Sequence, residues 1–269
     1  MLASDSGPTA SAYLAEIGVR ELPPVTAPFD PGYDPATVES HLAQSAHLMA
    51  SLKISMAGWM VANPDATRRK TAAARRAGVA TFAGGAPFEV AVAQGRLEAY
   101  LELCAATGLT GVEAGTGFTT HSLTPSHVLG AAGRHGLEVQ FELGHKHEGH
   151  FTEAVVVALL EQGRAWLAAG ARWVVVEARE SAQGVGLFDS GGAFDAALAE
   201  RFVEALGLES VVFEAPTKAS QFAMIEHFGA TVRLANVRLE ELLRVEIYRR
   251  GLHSDAFGNP RLRPAVPPA

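Results

Sequence analysis

Gly111-Val-Glu113-Ala-Gly115, Glu138-Val-Gln-Phe-Glu142-Leu143, Trp173-Val-Val-Val-Glu177 and Val211-Val-Phe-Glu214 are four short, largely apolar segments, each carrying a glutamate at or near its end. Runs this short and rich in valine suit strands buried on both faces, as in a parallel sheet covered by helices. Working outward, four more candidates follow the same pattern: Val25–Phe29, Leu52–Met56, Val79–Ala83 and Val232–Ala235. Between the strands lie longer amphipathic stretches read as helices, at Pro35–Ala50, Ala66–Ala77, Phe88–Thr107, Pro125–His135, Thr152–Ala169, Phe194–Leu206, Lys218–Phe228 and Leu239–Arg250. Glycines at 78, 108, 136, 170, 207, 229 and 251 stand where left-handed helix caps belong. Eight strand–helix units in about 250 residues predict a single α/β domain folded as a (β/α)8 TIM barrel. An open, doubly wound sheet is the alternative, and it would usually use fewer strands.

The 269 residues are 48% apolar and 19% charged, a balance that supports a large core and excludes a disordered chain. The reading divides them into a flexible tail over 1–12, a barrel domain over 13–259 and a proline-rich tail over 260–269. A net charge of −7 disfavours nucleic acid and anionic membrane as partners. Cys104, the lone cysteine, excludes an internal disulfide and fits a reducing cytosol. Met1–Thr9 lacks the basic and apolar regions of a signal peptide, so a cytoplasmic protein is expected.

In a barrel the C-terminal strand ends converge on one mouth, where chemistry is carried. Asp30 ends the first strand and Asn236 the last. One glutamate at a strand end is readily explained by a neighbouring lysine or arginine, or as a cap. Four on consecutive strands repel one another unless a cation lies among them, and a hard divalent ion, most simply Mg²⁺, fills that role. Asp30, Glu113, Glu177 and Glu214 are therefore candidate ligands. Which of them ligate is left open, because alternate strand residues face the barrel and the helices. Basic residues stand close by: Lys53 within an apolar strand, Lys146, Arg179 and Lys218 after strands five to seven, and Arg249-Arg250 at the end of the last helix. Such a mouth suits a small anionic substrate. In His145-Lys-His147-Glu-Gly-His150 the histidines offer an alternative transition-metal site, against the plainer reading of a solvated polar loop.

The stretches Phe88-Glu89, Gln94-Gly-Arg-Leu97, Glu177-Ala-Arg-Glu-Ser181, Gly184-Val-Gly-Leu-Phe-Asp189, Phe213-Glu-Ala-Pro-Thr-Lys-Ala-Ser-Gln221, Leu234-Ala-Asn236 and Arg249-Arg-Gly-Leu252 with Asp255-Ala-Phe-Gly258 resemble the phosphosulfolactate synthases of coenzyme M biosynthesis. The similarity runs from about Lys53 to Gly258, with a weaker match around Asp30. It implies a (β/α)8 enzyme, a carbon–sulfur lyase that adds sulfite to phosphoenolpyruvate with Mg²⁺, and a homo-oligomer, a trimer by resemblance. It implies Lys146 as proton donor with Glu142 beside it in the catalytic group. Arg179, Lys218, Arg249 and Arg250 would hold phosphate and carboxylate, with Lys53, Asn236 and His145 as further substrate contacts.

Departures from the family pattern stand beside these matches. Pro31 replaces a lysine after the first strand, His145 one of a lysine pair, and Gln183 a lysine in the Arg-Glu-Ser loop. His145 restores a positive charge only below about pH 6.5. Ser55-Met-Ala-Gly58-Trp59 and Gly115-Thr-Gly117 also differ from the family's residues. Lost cations weaken the fit to two strongly anionic reactants. A divergent barrel lyase or synthase acting on a less anionic enol or unsaturated acid is therefore the second reading, and a non-catalytic relative the third.

Overall fold

A computed structural model describes residues 9–54 and 56–262. Eight strands close into a barrel in sequence order: β1 Thr26–Asp30, β2 Leu52–Ile54, β3 Thr81–Ala83, β4 Gly111–Gly115, β5 Glu138–Leu143, β6 Val174–Val176, β7 Val211–Glu214 and β8 Arg233–Arg238. All eight pairings are parallel, including the closure of β1 on β8. The expected barrel is the fold, and every expected strand overlaps an observed one.

Three expected helices are each interrupted, the first passing from Pro35–Ser45 into a 3₁₀ turn over Ala46–Leu48. Residues 88–107 form Gly85–Ala93 and Leu97–Ala106, separated at Gly95, whose φ of +65° a continuing helix does not accept. The last helix begins as a 3₁₀ turn, Leu239–Glu241, and continues as Leu242–Arg249. Gly170 shows the capping device in full: at φ +105° it closes helix Glu153–Ala169 with its N–H on the Leu167 and Trp166 carbonyls. In the expected N-terminal tail, Ala10 opens a short helix to Glu16 capped by Thr9. Residues 1–8 and 263–269 of the two expected tails, and Ser55, lie outside the described residues.

The apolar interior has two parts. The larger fills the space between barrel and helices, with Phe141 stacked on Trp166 and Phe213 on Phe228. The smaller is a plug of Ala27, Trp173, Val175, Val212 and Ala235. Strand alternation then sets what lies above the plug. Two residues beyond Val175 is Glu177, and two beyond Val212 is Glu214, both on the cavity side. No described helix is long and apolar enough to cross a membrane.

Candidate active site

The C-terminal strand ends open into a cavity of about 860 Å³, within the size range of small-molecule sites. Glu113, Glu142, Glu177 and Glu214 line it and are all at most 2% exposed. The row read from the sequence is thus assembled in one place.

The cations among these glutamates are the barrel's own lysines. Lys53 Nζ lies 2.7 Å from Glu113 Oε1 and 3.5 Å from Glu214 Oε1, and donates to Asn236 Oδ1 at 3.1 Å. Lys146 Nζ is held 2.7 Å from Glu142 Oε1 and 2.5 Å from Glu177 Oε2. Gln140 Nε2 donates to Glu113 Oε2 at 2.7 Å, from the position opposite it on β5. The Gly85 N–H, at the start of helix Gly85–Ala93 after β3, donates to Glu113 Oε1 at 3.2 Å. Glu214 Oε2 accepts from the Ala178 N–H at 3.0 Å.

Four carboxylates face two ammonium groups, and their proton affinities reflect the imbalance. Burial and the charge of Glu177 hold Glu142 well above the ordinary carboxylate range. Burial raises Glu177, helped by Glu214, and it raises Glu214 as well. Burial also pushes on Glu113, but Lys53, Lys146 and the Gln140 amide together outweigh it and draw that carboxyl below its usual value. For both lysines burial opposes the charge and is overcome by the carboxylates around them, so each is held protonated.

The backbone here is bent out of ordinary conformations. Met56, Arg179 and Asn236, which follow β2, follow β6 and lie in β8, have φ of +53°, +55° and +53°, and all three line the cavity. Left-handed backbone at a non-glycine residue costs of order 1 kcal/mol or more and concentrates at functional sites. At Arg179 it is held by the Arg179 N–H, which donates to Glu177 Oε1 at 2.5 Å. The loop after β6 then folds back so closely that a Cβ at Gly186 would collide with the Glu177 carbonyl.

One buried carboxylate works through the backbone. Glu89, on helix Gly85–Ala93, accepts from the N–H groups of Gly117, Phe118 and Thr119 and from the Thr119 hydroxyl, at 2.8–3.0 Å. The Gly117 carbonyl in turn accepts the Lys146 N–H at 2.7 Å. A Cβ on Gly117 would stand 3.0 Å from both Glu142 Oε1 and Lys146 Cε, so any side chain here would press on the lysine and its partner. The sequence signal for Glu89 was a single carboxylate in the apolar run Gly-Ala-Pro-Phe-Glu-Val-Ala-Val-Ala.

Several expected site residues stand elsewhere. Asp30 does not line the cavity: its Oδ2 pairs with Lys70 at 2.7 Å, and its Oδ1 accepts from the Gly32 and Tyr33 N–H groups. Phe29 takes the inward position on β1, so alternation turns Asp30 outward. Arg249 is at the opposite end of the barrel. It is fully buried, donating to the Ala230 and Val232 carbonyls and Thr26 Oγ1 and pairing with Glu246. Arg250 joins the same Glu246. The physical reason is topological: each helix runs back down the barrel, so its C-terminal end lies beneath the strands, away from the mouth. Lys218 is exposed outside the cavity, paired with Asp255 at 3.0 Å and lying over Phe222. His145, His147 and His150 do not line the cavity either, and His150 faces Asp195 at 3.4 Å.

Among the described residues no three His, Cys, Asp or Glu side chains stand together as a metal-binding group, either in the histidine loop or in the glutamate layer. The glutamate layer fits a hard divalent ion in its oxygen donors and surplus negative charge, though its spacing is set by lysines.

A family model described as (2R)-phospho-3-sulfolactate synthase (ComA) matches residues 24–255. The phosphosulfolactate synthase of Methanocaldococcus jannaschii is 30% identical over 235 residues, covering 87% of this chain and 94% of the relative. That of Bacillus subtilis is 28% identical over 177 residues, covering 65% of this chain and 70% of the relative. Among solved structures, the carboxyl transferase domain of Rhizobium etli pyruvate carboxylase aligns with a TM-score of 0.53 at 12% identity, over 86% of this chain and 44% of that one. Thiamine phosphate pyrophosphorylase from Pyrococcus furiosus aligns with a TM-score of 0.51 at 11% identity, over 87% and 96%. These two likenesses concern the barrel alone.

Proposed function

The chain belongs to the (2R)-phospho-3-sulfolactate synthase family, and from that premise we propose that it is a lyase adding sulfite to phosphoenolpyruvate, with Lys146 as the general acid. The observation that carries this reading is the Lys146 ammonium on the cavity wall, fixed between Glu142 and Glu177. A general acid must be protonated before the step, and the two carboxylates ensure that it is. They also make it a reluctant donor, so it gives up its proton only to a strongly basic carbon.

Attack of the sulfite sulfur on the methylene carbon creates such a centre. The carbon–carbon double bond opens, and charge passes into the substrate carboxylate as an enediolate-like state. Lys146 then delivers its proton to the carbon bearing the phosphate ester, and Glu142 and Glu177 keep the lysine aimed there. Lys53, locked by Glu113 and Glu214 and steadied by Asn236, presents a second fixed positive charge to the developing anion. Arg179 is exposed at the mouth and its guanidinium has no partner among the described residues, which suits it to an anionic group of the substrate. Mg²⁺ belongs to this reading: Glu142, Glu177 and Glu214 would hold it, and it would supply charge neutralisation at the substrate carboxylate.

The second reading, a less anionic substrate, draws on Pro31 alone. Pro31 lines the cavity, whereas His145 and Gln183 do not; Gln183 Nε2 donates to the Ser190 carbonyl instead. Of the three exchanged positions, then, only Pro31 stands on the cavity wall.

The test is to incubate protein, phosphoenolpyruvate, sulfite and Mg²⁺ and follow phosphorus resonances. A new phosphate-ester signal, absent with Lys146→Ala, is expected. A folded wild type that gives no new signal, or a Lys146→Ala variant that matches it, overturns the reading.

A further inference from the structure

Two arginines line the cavity, and they are held differently. Arg179 has a free guanidinium, whereas Arg238, at the end of β8, has one fixed from three sides. Its Nε donates to Glu240 Oε1 at 2.7 Å, and its Nη2 donates to the Tyr33 hydroxyl at 3.4 Å. Its Cζ stands 5.9 Å from the ring centre of Phe29, the residue opposite it on β1. Nη1 has no partner among the described residues. An exposed Arg–Glu pair alone is worth little. Here a carboxylate, a phenol and an aromatic face set the plane of a guanidinium on a cavity wall and leave one edge uncommitted, which is how an oxyanion receptor is pre-organised.

Charge decides which part of a ligand belongs there. The two ammonium groups of the floor are already engaged by Glu113, Glu214, Glu142 and Glu177, whereas the arginines at the rim keep uncommitted donors for the most negative part of an anionic ligand. That part is left at the rim. On the β8–β1 side, Pro31 and Phe29 carry no charge, and Arg238 is the one cation among the described lining residues. Arg179 stands one strand beyond β7, roughly 10 Å away at the strand ends and within joint reach of two long side chains.

We propose that Arg238 is the specificity-determining cation of this site, receiving the dianionic phosphate group of the substrate at the rim while the carboxylate end points down toward Lys146. This rests on the reading that the cavity takes a small phosphorylated acid, and it concerns binding rather than turnover. Tyr33 and Glu240 serve Arg238 as positioning residues.

Calorimetric titration separates the possibilities. Wild type, Arg238→Gln and Arg238→Lys are titrated with inorganic phosphate, phosphoenolpyruvate and pyruvate, with thermal unfolding as the folding control. Arg238→Gln is expected to weaken phosphate and phosphoenolpyruvate by at least about tenfold, the scale of one charge-assisted hydrogen bond, and pyruvate by less than about twofold. Arg238→Lys, with the charge but without the fork, is expected to recover part of the loss. Unchanged phosphoenolpyruvate affinity in Arg238→Gln overturns the proposal, as does an equal loss for pyruvate, which would make Arg238 a carboxylate receptor. Wild type that binds neither phosphate nor phosphoenolpyruvate also overturns it. Wild type that binds both, with the Arg238 dependence but without sulfite turnover, sinks the proposed reaction and leaves this assignment standing.

Discussion

Beneath the barrel, Arg249 has its charge and its hydrogen bonds met on every side: Glu246 beside it, two backbone carbonyls and the Thr26 hydroxyl, with Arg250 closing on the same glutamate. At the mouth, four buried carboxylates share two lysines, and three of the four are pushed toward protonation. Both clusters are buried and ionic, yet only the lower one is matched. A matched cluster has nothing left to offer a ligand. The mismatched one keeps excess charge and strained backbone in a cavity open to solvent, which is the condition of a working site.

Substitutions at the two clusters should therefore separate activity from stability. Lys146→Ala is expected to lower kcat by about 10³, the scale of a lost general acid, with a smaller fall in melting temperature than the lower cluster shows, because Glu142 and Glu177 are already pushed toward protonation and can take up protons in its absence. Steady-state phosphorus assays beside thermal unfolding check this. Arg249→Ala should do the reverse. Leaving Glu246 buried and short of its partner costs about 3–5 kcal/mol, equivalent to roughly 10 °C in melting temperature. Activity per folded molecule should hold, and a large loss of turnover in the folded fraction would join the lower cluster to the mouth.

Glu89→Ala tests the link between them in kind, since Glu89 is matched like the lower cluster but serves the upper one. Three amides lose their acceptor, costing about 3 kcal/mol. Proteolytic nicking in 115–119 and a fall in kcat with KM little changed are expected, whereas lost stability with intact kcat would mark Glu89 as scaffold only. The smallest effect is expected at Glu142→Gln. The raised carboxyl of Glu142 binds its proton more tightly in the folded chain than in the unfolded one. Its contribution to stability is therefore full below the ordinary glutamate range, near about pH 4.3, and is lost as pH rises through the raised value. Glutamine avoids that loss, so the variant should melt a few degrees higher than wild type at pH 8, with the gap closing toward pH 4. A constant gap across that range contradicts the assignment.

Much of the barrel was legible because its signals are local. Valine-rich runs and glycine after seven of the eight expected helices report backbone demands that neighbours in sequence impose. The row of glutamates was legible for the same reason. Its counter-charges were not, because Lys53 reaches Glu113 and Glu214 across strands, and no spacing in the sequence records that. Asp30 was readable in principle: once Phe29 faces in, the next residue faces out. Arg249 and Arg250 were placed with the anion-holding residues by resemblance, while the return direction of a helix puts them at the other end. Arg238 carried no signal, its setting being made by Tyr33 and Phe29 from β1 and its loop.

The apolar plug of Ala27, Trp173, Val175, Val212 and Ala235 has a kinetic consequence. It seals the barrel under the carboxylate layer, so the cavity is a cul-de-sac with one entrance. Two reactants that meet there cannot come from opposite sides. In the proposed addition the product would leave by the way both reactants came, past the arginines of the rim.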